Sequence, residues 1–170
     1  KALDKVTECT FGDLMTSLNI PIPVKSLRGI RALAYTLLPV ITKLPIEYLY
    51  PLGEKQEENT PKYEKYFKDA EIIAGDFHFI RRYAPADLEG KIIITNTTTE
   101  KDVELLKERG VKILATSTPV IDGRTFGTNV LEAIVSSILG RKRGEETENY
   151  VKYYKILACP ELQPCIRKLN

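Results

Sequence analysis

Between residues 71 and 140 the apolar and polar positions fall into three consecutive strand-then-helix units. Short runs rich in Ile and Val, at Glu71 to Ala74, Lys91 to Thr95 and Val111 to Ala115, predict strands. A short helical stretch near Phe79 to Tyr83, broken by Pro85, follows the first. After the second, Val103, Leu105 and Leu106 line one side of a helix that stops at Gly110. Thr99 and Asp102 open that helix as an acidic variant of a capping box. The third helix starts near Thr128 or Asn129 and runs through Val130, Leu131, Ile134, Val135, Ile138 and Leu139 to Gly140. Strands this apolar, alternating with helices, predict an open parallel sheet with helices on both faces. The fold class is α/β.

Upstream, Val6 to Phe11 is a short β-prone run that ends at Gly12-Asp13, an arrangement repeated at Ile72 to Asp76. Pro21 and Pro23 enforce an extended connection, and Ser26 then caps a helix over about 27 to 43. Its Leu27, Ile30, Leu33, Leu37, Val40 and Ile41 follow helical spacing, with Pro39 expected to kink or end it. Leu44 to Asn59 reads as irregular, either a lid or a surface connection. Thr60 followed by Pro61 predicts a helix over about 61 to 70. Downstream, residues 145 to 149 form a linker or helix start, Tyr150 to Ala158 has helical periodicity, and Pro160 to Asn170 is expected to wrap the surface. Residues 1–144 are thus expected to form one α/β domain, with 145–170 as a helix and tail packed on it. Because Ala2 to Lys5 looks like the end of a helix and the sole methionine is Met15, an N-terminal portion is expected to precede Lys1.

Composition narrows the partners. With 170 residues, 43% of them hydrophobic, the chain can bury one substantial core. Lys plus Arg is 25 against 23 for Asp plus Glu, and the charges are dispersed, so no nucleic-acid partner is expected. Arg141-Lys142-Arg143 reads as a solvated helix end. Three cysteines without metal-type spacing indicate a reduced, cytoplasmic protein with no metal site. A Cys159–Cys165 disulfide is allowed by proximity but not indicated by it. No apolar run approaches the about 20 residues that cross a bilayer, so no membrane partner is expected. A homo-oligomer stays open.

In a parallel sheet all strands run out at one edge, and ligands sit in the crevice beyond it. Here the strand ends are Gly75-Asp76-Phe77-His78, Asn96-Thr97-Thr98-Thr99 and Thr116-Ser117-Thr118-Pro119. His78 is the only histidine, and Asp76 two residues earlier could orient it as an acid–base pair. The competing reading has His78 packed beside Phe77 and Phe79 with Asp76 capping the next turn. Arg81 and Arg82 could bind an anion or face solvent. Asn96, Thr97 and Thr98 suit a phosphate, ribose hydroxyl or carboxylate, or else satisfy a tight turn. In the third connection Arg124, Gly127, Thr128 and Asn129 resemble an anion cradle, Asn129 pairing with Glu132 as a capping box; the alternative is an ordinary capped helix. The chain has no G-x-G-x-x-G, no Walker lysine loop and no G-x-S-x-G elbow.

Several longer strings carry a family resemblance: Phe11-Gly12-Asp13-Leu14-Met15, Ile20-Pro21-Ile22-Pro23, Tyr50 to Glu57, Ala74 to Ile80, Ile94 to Thr97 and Gly123 to Asn129. Up to about Gly140 the chain resembles the C-terminal part of bacterial and archaeal proteins labelled quinate or shikimate 5-dehydrogenase. The resemblance implies hydride transfer between NAD or NADP and a cyclic hydroxy acid. It also implies that Asn96, Thr97, Thr116 and Thr118 line the nucleotide or substrate crevice. The lysine and aspartate substrate motif of true shikimate dehydrogenases is not recognisable here. The sequence therefore leads to a Rossmann-like α/β protein expected to act as an NAD(P)-dependent oxidoreductase on a small hydroxy acid. Asp76 and His78 are its candidate catalytic residues, and Asn96, Thr97, Thr98, Thr116, Thr118, Arg124, Gly127, Thr128 and Asn129 its candidate cofactor contacts. The alternatives are a non-catalytic nucleotide- or anion-binding regulatory module and a subunit-interface domain.

Overall fold

The computed structural model of the chain describes residues 8–45, 59–140 and 150–170. The expected strand start at Val6, most of the irregular segment after Leu44 and the basic cluster at Arg141 lie outside those residues. The chain divides into two compact units, one of Lys1–Tyr66 with Arg81–Ala84, the other of Phe67–Ile80 with Pro85–Asn170.

In the first unit Phe11 and Val24 form an antiparallel bridge, the Phe11 N–H donating to the Val24 carbonyl at 2.8 Å. Helix α1 (Asp13–Leu18) fills the turn between them and ends at Asn19, which takes the left-handed conformation at φ 55°. Leu14, Met15 and Val24 are buried. Ser26 caps α2 (Leu27–Ile41) as its sequence predicts, its hydroxyl accepting from the Gly29 N–H at 3.1 Å. Pro39 lies in the last turn, where it deletes only one rung of the hydrogen-bond ladder, so the helix runs on to Ile41. The expected helix over 61 to 70 is shorter: α3 is Glu64–Asp69. Thr60 does not cap it, because the Thr60 and Lys62 N–H groups donate to the Arg82 and Tyr83 carbonyls, at 2.7 and 3.2 Å. Tyr63, at φ 60°, turns the chain out of that pairing.

The second unit holds a four-stranded sheet in the order β1 (Ile72–Ala74), β2 (Ile92–Thr95), β3 (Ile113–Thr116), β4 (Cys165–Lys168). β1, β2 and β3 are mutually parallel, in the register Ile73, Ile93, Leu114. Between them run α4 (Phe77–Tyr83) and α5 (Glu100–Glu108), and α6 (Thr128–Ile138) and α7 (Tyr150–Leu157) follow β3. This is the open, mostly parallel α/β sheet that the strand pattern predicts, Rossmann-like in kind. The tail does not simply wrap the surface. After a 3₁₀ turn at Pro160–Leu162 it returns as β4, antiparallel to β3, with Thr116 opposite Cys165 and Leu114 opposite Arg167.

Alternation divides the sheet into two unlike faces. Ile73, Ile93, Thr95, Leu114 and Thr116 are buried on one; Phe77, Ile80, Leu88, Leu106, Val111 and Val135 are also buried in this unit. On that face Arg167 reaches Glu100 at the start of α5, 3.3 Å away. Its guanidinium is held above its ordinary value: partial burial works against the charge, but Cys165 and Glu100 more than offset it. On the other face Ile72, Ile94 and Ile166 are exposed and Ile92, Ile113 and Ala115 half-buried. Cys9, Cys159 and Cys165 are all free thiols, so the Cys159–Cys165 bridge does not form.

Two local devices close the strand–helix units. The capping box forms as its sequence predicts: the Thr99 N–H donates to Asp102 Oδ2 at 2.9 Å while Thr99 Oγ1 accepts from the Asp102 N–H. Gly110 ends α5 at φ 82°, and its own carbonyl receives the Gly90 N–H at 2.9 Å. A Cβ there would lie 3.0 Å from the Glu89 Cα. Gly110→Ala is accordingly expected to lower stability by about 1–3 kcal/mol, measurable by urea denaturation.

Candidate functional site

The C-terminal ends of β1, β2 and β3 lie side by side. At the first, the Gly75 N–H donates to the Ile94 carbonyl at 3.0 Å and Thr95 Oγ1 donates to the Gly75 carbonyl at 2.7 Å. Asp76 then starts α4. Its Oδ1 accepts from the His78 N–H at 3.1 Å, and its carbonyl accepts from Phe79 and Ile80. The carboxylate thus fulfils the capping reading, and half-buried His78 sits in the first turn beside it. Arg81 and Arg82 fall in the last turn, where a positive charge complements the helix dipole.

The second strand end is drawn against the third connection by a pair of buried threonines. Thr98 donates its backbone N–H to Thr125 Oγ1 at 2.7 Å, the two hydroxyls lie 2.9 Å apart, and the Thr125 N–H returns to the Thr98 carbonyl at 2.8 Å. Both residues are at most 5% exposed. Thr116 Oγ1 donates to the Thr118 carbonyl at 3.0 Å. Thr118 Oγ1 donates to the Phe126 carbonyl at 2.7 Å and accepts from the Phe126 N–H. Of the candidate contacts, Thr98, Thr116 and Thr118 therefore have their hydroxyls engaged inside the loop that shapes the crevice.

Thr125 is the residue that a reading of sequence alone misses. Its signal is the neighbouring Asp122-Gly123 pair, a turn dipeptide with both φ values positive, 49° and 73°. That turn closes a small hairpin between Ile121 and Arg124, which also bridges Thr99. The hairpin delivers Thr125 to Thr98. Arg124 itself is exposed and lines an open groove of about 320 Å³ with Thr99, Glu100, Lys101, Asp122 and Gly123. A larger groove, about 510 Å³, lies on α2 in the first unit.

The N-terminus of α6 completes the edge; the helix starts at Thr128 as expected, but its cap differs from expectation. Its N-cap is Gly127 in extended conformation, with no side chain capping it. Neither Thr128 nor Asn129 serves, because both already lie inside the first turn, where Asn129 Oδ1 accepts from the adjacent Val130 N–H at 3.0 Å. A Cβ on Gly127 would come within 2.5 Å of Asn129 Oδ1 and 3.8 Å of Thr97 Oγ1. The structure thus brings Thr97, Gly127 and Asn129 together.

Two features of this corner are unusual. Thr97 holds φ 50°, a left-handed conformation that a β-branched residue adopts only under constraint. The side-chain oxygen of Asn96 is buried with no hydrogen-bond partner, an arrangement that costs about 1–3 kcal/mol in the absence of a donor. The half-buried Asn96 thus carries an acceptor without a donor, and its neighbour Thr97 approaches a helix start that attracts negative charge. Among the described residues no group of His, Cys, Asp and Glu could hold a metal ion, and no helix is long and apolar enough to cross a membrane.

No curated protein and no solved structure matches the chain. A family match does cover it almost completely, from residue 1 to 169. The chain belongs to the family described as Domain of unknown function (DUF8754).

Proposed function

We propose that the chain is the ligand-binding α/β part of an NAD(P)-dependent oxidoreductase acting on a small, quinate- or shikimate-like hydroxy acid. The observation that carries this reading is the unpartnered Asn96 oxygen, next in sequence to the strained Thr97, whose side chain approaches the uncapped start of α6. A donor such as a ribose hydroxyl or a carboxamide satisfies that oxygen, and a phosphate or carboxylate suits the N–H groups that begin α6. The residues at this corner therefore fit the nucleotide that the family resemblance implies. When bound, NAD(P) supplies the hydride acceptor or donor. His78 would exchange the proton of the substrate hydroxyl through its imidazole, with Asp76 fixing the turn on which it sits. Thr97, Gly127, Thr128 and Asn129 would position the ligand, and the engaged hydroxyls of Thr98, Thr116 and Thr118 would keep the loops in place.

A thermal-shift titration with NADH and with NADPH tests this. Saturation at about a hundred times Kd contributes roughly 2.7 kcal/mol, which raises Tm by roughly 5–10 °C for a chain of this size. Asn96→Ala is expected to lose most of that rise. No stabilisation of the unmodified protein by either nucleotide would sink the reading.

One observation favours the non-catalytic alternative: the Asp76 carboxylate is already committed to the His78 backbone N–H. His78→Ala separates the two. A catalytic role predicts lost turnover with ligand affinity kept, whereas undiminished turnover removes His78 from the mechanism.

A further inference from the structure

The first unit carries a feature unrelated to the polar edge. No residue of α2 is fully buried. Leu27, Ile30, Leu33, Ala34, Leu37 and Ile41 share its half-buried side. Opposite them Arg28, Arg31, Tyr35, Leu38 and Thr42 recur at helical spacing as one exposed stripe, with Tyr35 at 84% and Leu38 at 51%. Arg31, Tyr35, Leu38, Pro39 and Thr42 wall the 510 Å³ groove that runs along this side. The charge of its own chain segment has one sign. From Leu14 to Pro45 there is no Asp or Glu, while Lys25, Arg28, Arg31 and Lys43 are all cationic. Among the described residues no carboxylate lies within ion-pair reach of Arg28 or Arg31.

We propose, against the expectation drawn from the lack of a membrane-crossing run, that this stripe docks on an anionic lipid surface, α2 lying along the interface. Charge complementarity selects the class of partner, since a helix free of Asp and Glu with two exposed arginines in line is attracted to anionic headgroups. A second copy of the chain would present the same charges and repel. Shape selects a lipid surface over a folded protein. A groove on a single helix has no second wall with which to lock a partner's side chain, whereas a bilayer surface conforms to whatever is laid on it. Tyr35 and Leu38 are suited to such an interface, the tyrosine keeping its hydroxyl in water while its ring is buried. The arginines extend their stems along the apolar boundary and keep their guanidinium groups among the headgroups.

The test is co-sedimentation of the full chain with two vesicle preparations, phosphatidylcholine alone and phosphatidylcholine mixed with phosphatidylserine. Binding is expected to the mixed vesicles only, weakening as salt is raised. Arg28→Glu combined with Arg31→Glu should reduce it at least about tenfold. Tyr35→Ser with Leu38→Ser should reduce it as well. All four side chains are exposed, so circular dichroism should show each variant folded. Three results would each overturn the proposal: no sedimentation with the mixed vesicles at low salt, binding that none of the four substitutions reduces, or self-association of the chain abolished by Tyr35→Ser. The last would assign the stripe to a second copy instead.

Discussion

Replacing Ile93 with alanine is expected to lower the stability of the fold by roughly 2–5 kcal/mol, read as a shift of the urea midpoint without a change of slope. Ile93 is 0% exposed and sits in the middle parallel strand, its register partners being Ile73 on one side and Leu114 on the other. Those neighbours are held by the strand ladders of β1 and β3, so they cannot collapse into the space left behind. The outward Ile94, 37% exposed one residue on, is the control. Ile94→Ala should cost clearly less, because it leaves no enclosed cavity. Similar losses at the two positions would mean that the faces of the sheet are buried alike, contrary to the alternation described above.

The second large effect is expected at Thr125. Thr125→Val keeps the shape of the side chain and deletes only its hydroxyl, which leaves the buried Thr98 N–H without its acceptor and the Thr98 hydroxyl without its neighbour. An unsatisfied buried donor costs about 1–3 kcal/mol, so the whole variant should lose about that amount. Thr125→Ser retains the oxygen and should recover most of it. The consequence reaches the proposed ligand edge, because Thr98–Thr125 ties the strand end that carries Asn96 and Thr97 to the connection that leads to Gly127. Loss of ligand-induced stabilisation in Thr125→Val, restored in Thr125→Ser, is the expected pattern in calorimetry.

Where structure follows from neighbours in sequence, the sequence was readable. Ser26 and the Thr99–Asp102 box were legible because a cap is a short-range exchange between a side chain and an N–H two or three residues away. The three parallel strands were legible because each is a dense apolar run bounded by turn residues. β4 was not, since Cys165 to Lys168 is a brief mixed run after two prolines, and only its distant partner β3 makes it a strand. The start of α6 at Thr128 was legible, but its cap was not, because Asn129 is a good cap in isolation. In the folded chain Gly127 reaches the capping conformation first, close to Thr97 and Asn129. Thr60 and Pro61 failed as a helix start for a similar reason, because the Arg82 and Tyr83 carbonyls claim that stretch of backbone. At the candidate site the polar strand ends were visible as a group. What sequence could not divide was their labour: the hydroxyls of Thr98, Thr116 and Thr118 are engaged within the protein, while the Asn96 side-chain oxygen is left without a partner.

The central claim, that the polar edge binds a nucleotide-like ligand, is most directly tested by amide chemical-shift mapping of the full chain during titration with NADPH. The predicted result is a set of saturable changes concentrated at Gly75 to His78, Asn96 to Thr98 and Gly127 to Val130, absent in Asn96→Ala. Saturable changes confined to α2 or spread without focus, or none at any of these three segments, would contradict it.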